Sequence, residues 1–243
     1  MMYSNKHLKE VLCTFKFLPG PIKWDSGFFG QFYDKIQADG FSLRQEKKGI
    51  VFEIGNLNNG VPVTPNVQEA ETQMIFRNPE KNFAISMGNS YVTFHIVNTY
   101  ENWEVFNEAL MRPFMEKYLE LGIYDKIQTC QVVYLNSFEM AAEEPLSDYF
   151  TVVSPPFKTF GREAAVQISK NYVAPNGIVL NFKINPQQTT KQNTKSIMLE
   201  CGAMGTVTMG RPISDWKTMS QDVKNPVKDF FESIITEKLR QIL

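Results

Sequence analysis

The chain has 243 residues, of which 43% are hydrophobic and 21% charged, and its 25 Lys and Arg nearly balance its 26 Asp and Glu. Nineteen Phe and nine Tyr supply ample apolar surface for a core and argue against disorder over most of the length. The formal net charge of -1 lacks the positive excess of duplex-binding domains, so nucleic acid is not the expected partner.

Three cysteines, Cys13, Cys130 and Cys201, lie far apart in apolar segments. An odd and sparse set does not make a disulfide framework, so we expect three small buried core residues. There is no CxxC pair and there are only two histidines. We therefore expect no structural metal site and no cofactor.

The N-terminal sequence MMYSNKHLKEV has neither the apolar region nor the cleavage site of a signal peptide. No stretch approaches the roughly 18 apolar residues of a membrane span. The sequence therefore predicts a cytoplasmic protein that does not bind membranes.

The first quarter of the chain begins with residues 10–18, which alternate between apolar and polar side chains and predict a half-buried strand. An aromatic stripe at helical spacing then predicts a helix over residues 25–37. A short strand is expected over residues 45–55, followed by a polar loop over residues 56–70.

The next part predicts an antiparallel meander and the longest central helix. Strands are expected over residues 72–78 and 82–98, the latter folded at Gly88-Asn89, because Gly accepts a positive φ at the first position of a tight turn. Residues 101–121 carry a helical apolar stripe, and Pro113 within them should kink the helix.

The second half repeats this alternation of strands and a closing helix. Strands are expected over residues 126–138 and around the Asn176-Gly177 turn, which is the strongest short hairpin signal in the chain. The best candidate for a domain boundary is the proline-containing segment 148–161.

The C-terminal part predicts a polar loop, a strand and a last helix. The loop covers residues 186–195 and the strand residues 196–204. Asn225 as cap and Pro226 in the first turn predict that the last helix begins there, with an apolar face that packs on the sheet.

Runs of strands broken by few helices predict an α+β fold, in which a mostly antiparallel sheet is covered by about three helices. We expect one domain over residues 1–243. Its halves, 1–122 and 123–243, are compatible with a loose duplication of the helix-grip or TATA-binding-protein-like kind. That comparison is topological and implies no function.

Catalytic signatures are absent from the sequence, since it has no phosphate-binding glycine loop, no nucleophile elbow and no HExxH. His95 shares the face of its predicted strand with Tyr91, Thr93 and Val97, so this mixed face could line a cleft. The alternative is a hydrogen-bonded or surface strand histidine. The adjacent Glu143 and Glu144 are expected in a solvated acidic loop.

The segments HLKEV at 7–11, VVYLNSF at 132–138, PLSDYF at 145–150 and VKDFFESIITEKLR at 227–240 resemble a sporadically distributed bacterial family of proteins of about this length and of unknown function. Members of that family commonly carry an Arg-Tyr-Ile-Asn-like run in the middle strand. Val133 replaces the basic residue here, which makes a role for arginine doubtful. The resemblance implies an accessory role, near mobile or defence genes.

Tyr134 and Asn136 match that run and are the first choice for a polar binding site. The alternative is that Asn136 ends its strand by bonding backbone in a turn, while Tyr134 belongs to the core with its hydroxyl at the rim.

Many aromatic residues, no catalytic constellation and near-zero net charge predict a non-catalytic binding or protein-interaction module, with a protein partner or a homodimer. A small-ligand protein or enzyme with a cleft between sheet and helix, using His95, is the alternative. Nucleic-acid binding on the sheet face is a third hypothesis and requires clustered Lys and Arg there.

Overall fold

A computed structural model describes residues 7–47, 50–53, 66–69, 72–154, 167–187, 189 and 191–242. Much of the predicted loop 56–70 and of the predicted boundary 148–161 lies outside these residues.

Eleven strands are described, and nine of them form one sheet. In chain order the strands are β1 (Leu8–Phe17), β2 (Leu43–Lys47), β3 (Ile50–Glu53), β4 (Asn66–Glu69), β5 (Gln73–Asn78), β6 (Phe83–Gly88), β7 (Tyr91–Val97), β8 (Lys126–Ala141), β9 (Ile168–Val173), β10 (Val179–Gln187) and β11 (Thr194–Pro212). The sheet has the order β2-β5-β6-β7-β1-β8-β11-β10-β9, and every pair in it is antiparallel. Strands β3 and β4 form a separate hairpin.

The helices follow the strand runs. They are α1 (Gly27–Ile36), α2 (Trp103–Phe106), α3 (Arg112–Leu119), α4 (Trp216–Ile234) and α5 (Glu237–Arg240). A π-helical segment, Asn107–Met111, joins α2 to α3, and Pro113 lies in the first turn of α3. The predicted α+β class, with a mostly antiparallel sheet covered by about three helical regions, is confirmed.

Outwards from the central pair β1–β8, the first four strands on each side follow the same pattern, and β2 lies beyond β5. On one side β1 is followed by β7, β6 and β5, and on the other β8 is followed by β11, β10 and β9. In each half, the first strand therefore pairs with the last strand of that half, and the preceding strands follow in reverse chain order. A duplication of the two halves stays a prediction.

Alternation along the strands gives the sheet two unlike faces. Val11, Cys13 and Phe15 of β1 are fully buried, and their cross-strand partners include Phe94 and Val132, which are also fully buried. The Trp216 ring of α4 meets the Phe15 ring edge-on with 6.2 Å between centroids. Helix α1 reaches the same face where the Phe32 ring meets Phe76 of β5 at 5.6 Å. We call this the helix-covered face.

The opposite face, called the open face, carries the alternate residues of the same strands. Leu12, Thr14, Gln131 and Leu135 lie on it, and all four are partly exposed. The helices of the described ranges pack on the other side of the sheet, so this face is where polar side chains gather.

The hairpin expected at Gly88-Asn89 exists, but its turn is formed by Asn89 and Ser90. Gly88 pairs with Tyr91 as the last residue of β6, and its φ is not positive. A Cβ on Gly88 would lie 2.3 Å from Cε1 of Tyr91. Close approach of this ring, rather than turn geometry, therefore requires glycine here. At the second hairpin, Gly177 does adopt a positive φ of 80°, as its turn predicts.

The prediction that the last helix begins at Asn225 is wrong, because α4 begins at Trp216. Pro226 lies inside the helix, where it lacks the N–H that would bond the Asp222 carbonyl. The buried stripe that includes Trp216, Met219 and Val223 outweighs this loss, since it packs the first two turns of α4 into the core.

The C-terminal end is held by a charged cluster. Glu144, predicted to be solvated, accepts a hydrogen bond from Lys238 of α5 at 2.7 Å and another from the Tyr149 hydroxyl. The Lys238 ammonium also lies over the Tyr149 ring, 4.7 Å from its centroid. These contacts fix α5 to the loop after β8.

Candidate functional site

The three residues chosen from the sequence do not form one site. Tyr134 and Asn136 of β8 point to the helix-covered face, with Cys130 and Val132, whereas His95 of β7 lies on the open face. The sheet itself separates them.

Tyr134 belongs to an interior aromatic pair. Its hydroxyl oxygen is 3.5 Å from that of Tyr100, and the two rings meet edge-on at 5.8 Å. Burial raises the pKa of Tyr134 well above its usual value. Its hydroxyl is therefore protonated at neutral pH.

Asn136 is buried in the middle of β8, opposite Leu8 and Leu199. Because β8 continues to Ala141, the alternative that Asn136 ends its strand is wrong.

His95 lies opposite Leu12 on β1 and Ala84 on β6, on the face away from the helices. It therefore does not line a cleft between sheet and helix. That space is filled around Phe15, Phe94 and Phe106, which are all fully buried.

His95 is the centre of a hydrogen-bonded chain across three neighbouring strands. Its Nδ1–H donates to Oε1 of Glu10 on β1 at 2.6 Å. Its Nε2 lies 3.1 Å from the Ser86 hydroxyl oxygen on β6. A carboxylate accepts only, so in the neutral imidazole Glu10 selects the tautomer in which the lone pair of Nε2 accepts from Ser86. We call this set the Glu10–His95–Ser86 chain.

A pair of threonine hydroxyls borders this chain. Thr93 lies directly opposite Ser86, and Thr14 lies opposite Thr93 on the other side. The two threonine oxygens are 3.0 Å apart. Since one hydroxyl donates to the other, the pair retains one further O–H for another acceptor.

Sequence reasoning found only one member of the chain. The sequence contains the information needed to find Ser86. Once Gly88 pairs with Tyr91 at the end of the hairpin, residue 86 lies diagonal to residue 95 on one face. Glu10 is 85 residues from His95, and only the pairing of β1 with β7 brings them together.

The other half of the open face carries a group of apolar side chains. Leu135 of β8, Val179 of β10 and Met198 and Met204 of β11 are partly exposed there, and Leu135 and Met204 lie next to the buried Val133. We call these five residues the apolar patch. Gly202 lies among them, opposite Val133 and Asn181.

Charges of both signs lie on the open face. Lys183 of β10 is directly opposite Glu200 of β11, whose carboxylate accepts a hydrogen bond from the Asn181 amide at 2.9 Å. Lys16 and Glu10 share this face of β1. The Lys and Arg of the described strands therefore form no stripe of a single sign.

One cavity, of about 570 Å³, lies between α4 and the end of β11. Its charged groups include Arg211 and Asp222, which form an ion pair at 3.3 Å, and Asp229. A second cavity, of about 460 Å³, lies between α1 and strands β2 and β5. Neither is lined by Tyr134 or His95.

Within the described ranges, no group of three or more His, Cys, Asp or Glu side chains is arranged to hold a metal ion. Among the described helices, none has the length and apolar character needed to cross a membrane.

Comparison of the chain with the sequence models of protein families and with curated proteins finds no match to either.

Proposed function

We propose that this chain is a protein-interaction module that forms a homodimer through the apolar patch on the open face. The observation that carries the proposal is a cluster of partly exposed Leu, Val and Met side chains on the face that the described helices leave uncovered. Groups of exposed apolar side chains bordered by polar residues are typical of contact sites.

The area of the surface around the patch supports a weak dimer. The four strands from β8 to β9, spaced by about 4.8 Å and overlapping for about seven residues, give this surface, polar residues included, roughly 500 Å² per subunit. The total of about 1,000 Å² is at the low end for a specific interface. We therefore expect reversible association that depends on concentration.

Charge supports a second copy as the partner. In a two-fold interface, residue i contacts residue j of the partner and j contacts i. Lys183 and Glu200 lie side by side. A two-fold axis near them would place Lys183 of each subunit against Glu200 of the other. The net charge of -1 adds little repulsion between copies.

The alternatives have weaker support. Mixed charges on the open face do not favour nucleic acid, which requires clustered Lys and Arg. In the cavity beside α4, Arg211 already pairs with Asp222. An accessory role in the cell rests on the family resemblance alone.

The test is the molecular weight in solution, measured by sedimentation up to about 1 mM, where an association of only about −4 kcal/mol is half complete. Met204→Glu should shift the wild-type dimer to monomer. Met209→Glu is the matched control, because Met209 is 77% exposed and lies outside the patch.

A charge exchange tests the geometry. Lys183→Glu should weaken the dimer, and adding Glu200→Lys should restore it. A wild-type protein that stays monomeric over the whole range, or a Met204→Glu variant that dimerises like the wild type, would overturn the proposal.

A further inference from the structure

We propose that Ser86 is an activated nucleophile that accepts an acyl group from small activated esters, with His95 as general base and Glu10 as positioning residue. This activity goes beyond the proposed dimer, uses the other half of the open face, and would reverse the expectation that the chain is non-catalytic.

The geometry follows the order nucleophile, base, carboxylate. The Ser86 oxygen is 3.1 Å from Nε2 of His95, within the reach that a general base needs. The Glu10 carboxylate is 2.6 Å from Nδ1 and so fixes both the ring and its tautomer. This constellation is recognised by its geometry and occurs on unrelated folds.

The Thr14–Thr93 pair supplies the group that a negatively charged intermediate requires. Thr93 stands directly opposite Ser86, and the pair has one O–H beyond the bond between its members. When Thr14 donates to Thr93, the remaining O–H is on Thr93, directly across the strand pair from Ser86, where it can donate to an oxyanion formed on the acyl carbon attached to Ser86. A hydroxyl therefore takes the place that backbone N–H groups have in many acyl-transfer enzymes.

The space beside Ser86 sets the substrate class. On the same face of β6 its neighbours are Ala84 and Gly88, which have little or no side chain. The Tyr91 ring lies over Gly88 and forms an apolar wall. Ser86 itself is 3% exposed, so an ester reaches it only when neighbouring side chains move aside, which favours a short acyl group such as acetyl over a long chain.

The step balances without an oxidant, reductant or metal. The Ser86 oxygen forms a bond to the ester carbonyl carbon, while its proton moves to Nε2 of His95. The bond from that carbon to the leaving oxygen breaks, and His95 returns the proton to the departing alcohol or phenol. Water then hydrolyses the acyl-serine by the same proton transfers in reverse order.

The experiment treats the whole chain with p-nitrophenyl acetate, follows release of the phenol, and maps the acetylated peptide by mass spectrometry. We expect an adduct on Ser86 that is lost in Ser86→Ala. Ser196→Ala is the matched control, because Ser196 is a partly exposed serine of β11 with no histidine bonded to it. It should react like the wild type.

His95→Gln keeps hydrogen-bonding capacity but cannot take the proton, so acetylation should slow by about 100-fold or more. Glu10→Gln should slow it by a similar factor. Nitrogen-15 NMR of the His95 ring should show the Nδ1–H tautomer in the wild type and its loss in Glu10→Gln. A merely structural hydrogen bond would change that spectrum without changing the acetylation rate.

Acetylation confined to lysines, or a His95→Gln variant that reacts at the wild-type rate while its unfolding transition is intact, would overturn the proposal. p-Nitrophenyl palmitate separates a shaped site from general reactivity. Equal rates with the acetyl and palmitoyl esters would contradict the proposed site, whereas a clear preference for acetyl would support it.

Discussion

The two faces of the sheet are built from the same strands but have different chemistry, and β7 shows the contrast most simply. Its residues Val92, Phe94 and Ile96 are buried under the helices. On the other face, Thr93 bonds Thr14, and His95 bonds Glu10 and Ser86. One strand therefore contributes apolar packing to stability on one side and a polar site on the other. Burying apolar surface supplies folding free energy, and this leaves the open face available for recognition or chemistry.

The largest expected difference between the faces is in thiol reactivity. All three cysteines are buried, and burial raises the pKa of the Cys201 thiol to about 12. A disulfide reagent should therefore react with them only after the protein unfolds locally or globally. For a protein of ordinary stability, this makes the reaction slower than that of an exposed thiol by a factor of about 10³ or more. Ser196→Cys places a matched thiol on the open face and should react at once. Rapid reaction of a native cysteine would break the comparison.

The next effect is on the free energy of unfolding. Phe94 is fully buried, and its ring meets Phe15 edge-on at 6.5 Å. Phe94→Ala should cost about 3–5 kcal/mol, measured by urea unfolding. Val97→Ala, on the open face of the same strand, should cost less than about 1 kcal/mol. Similar costs at both positions would mean that the open face is also packed.

The smallest effect concerns the ion pair between Lys238 of α5 and Glu144 of the loop after β8. Hydrogen bonds from Lys238 and then from Tyr149 hold the pKa of Glu144 below its usual 4.5. A lowered carboxyl pKa stabilises the fold above pH 4.5, and this contribution is lost as the pH falls through the lower folded-state value. Thermal unfolding should therefore show Lys238→Met to be slightly less stable than the wild type at neutral pH, with the difference vanishing in acid. Lys228→Met, at an exposed position of α4, serves as the control. A difference that stays constant with pH would contradict this account.

Local patterns predicted most of the elements but not their extent. Alternating residues correctly predicted β1 and the β5–β6–β7 meander, because strand burial has a two-residue period whatever the partner. The predicted start of α4 was wrong. Asn225-Pro226 is a helix-start signal, but packing of Trp216 and Met219 in the core extends the helix back to Trp216. The last strand also extends beyond its predicted range, from Thr194 to Pro212, because β8 and β10 supply pairing along it.

The sequence by itself determined the class of fold and which residues of each strand share a face, since both follow from short-range periodicity. It also indicated His95 as a polar position on a strand. Only the tertiary structure decided which face the helices cover and which residues lie beside His95. Glu10 reaches His95 through pairing of strands that are distant in the chain, and the balance of burial over the whole sheet, rather than any local motif, sets that pairing.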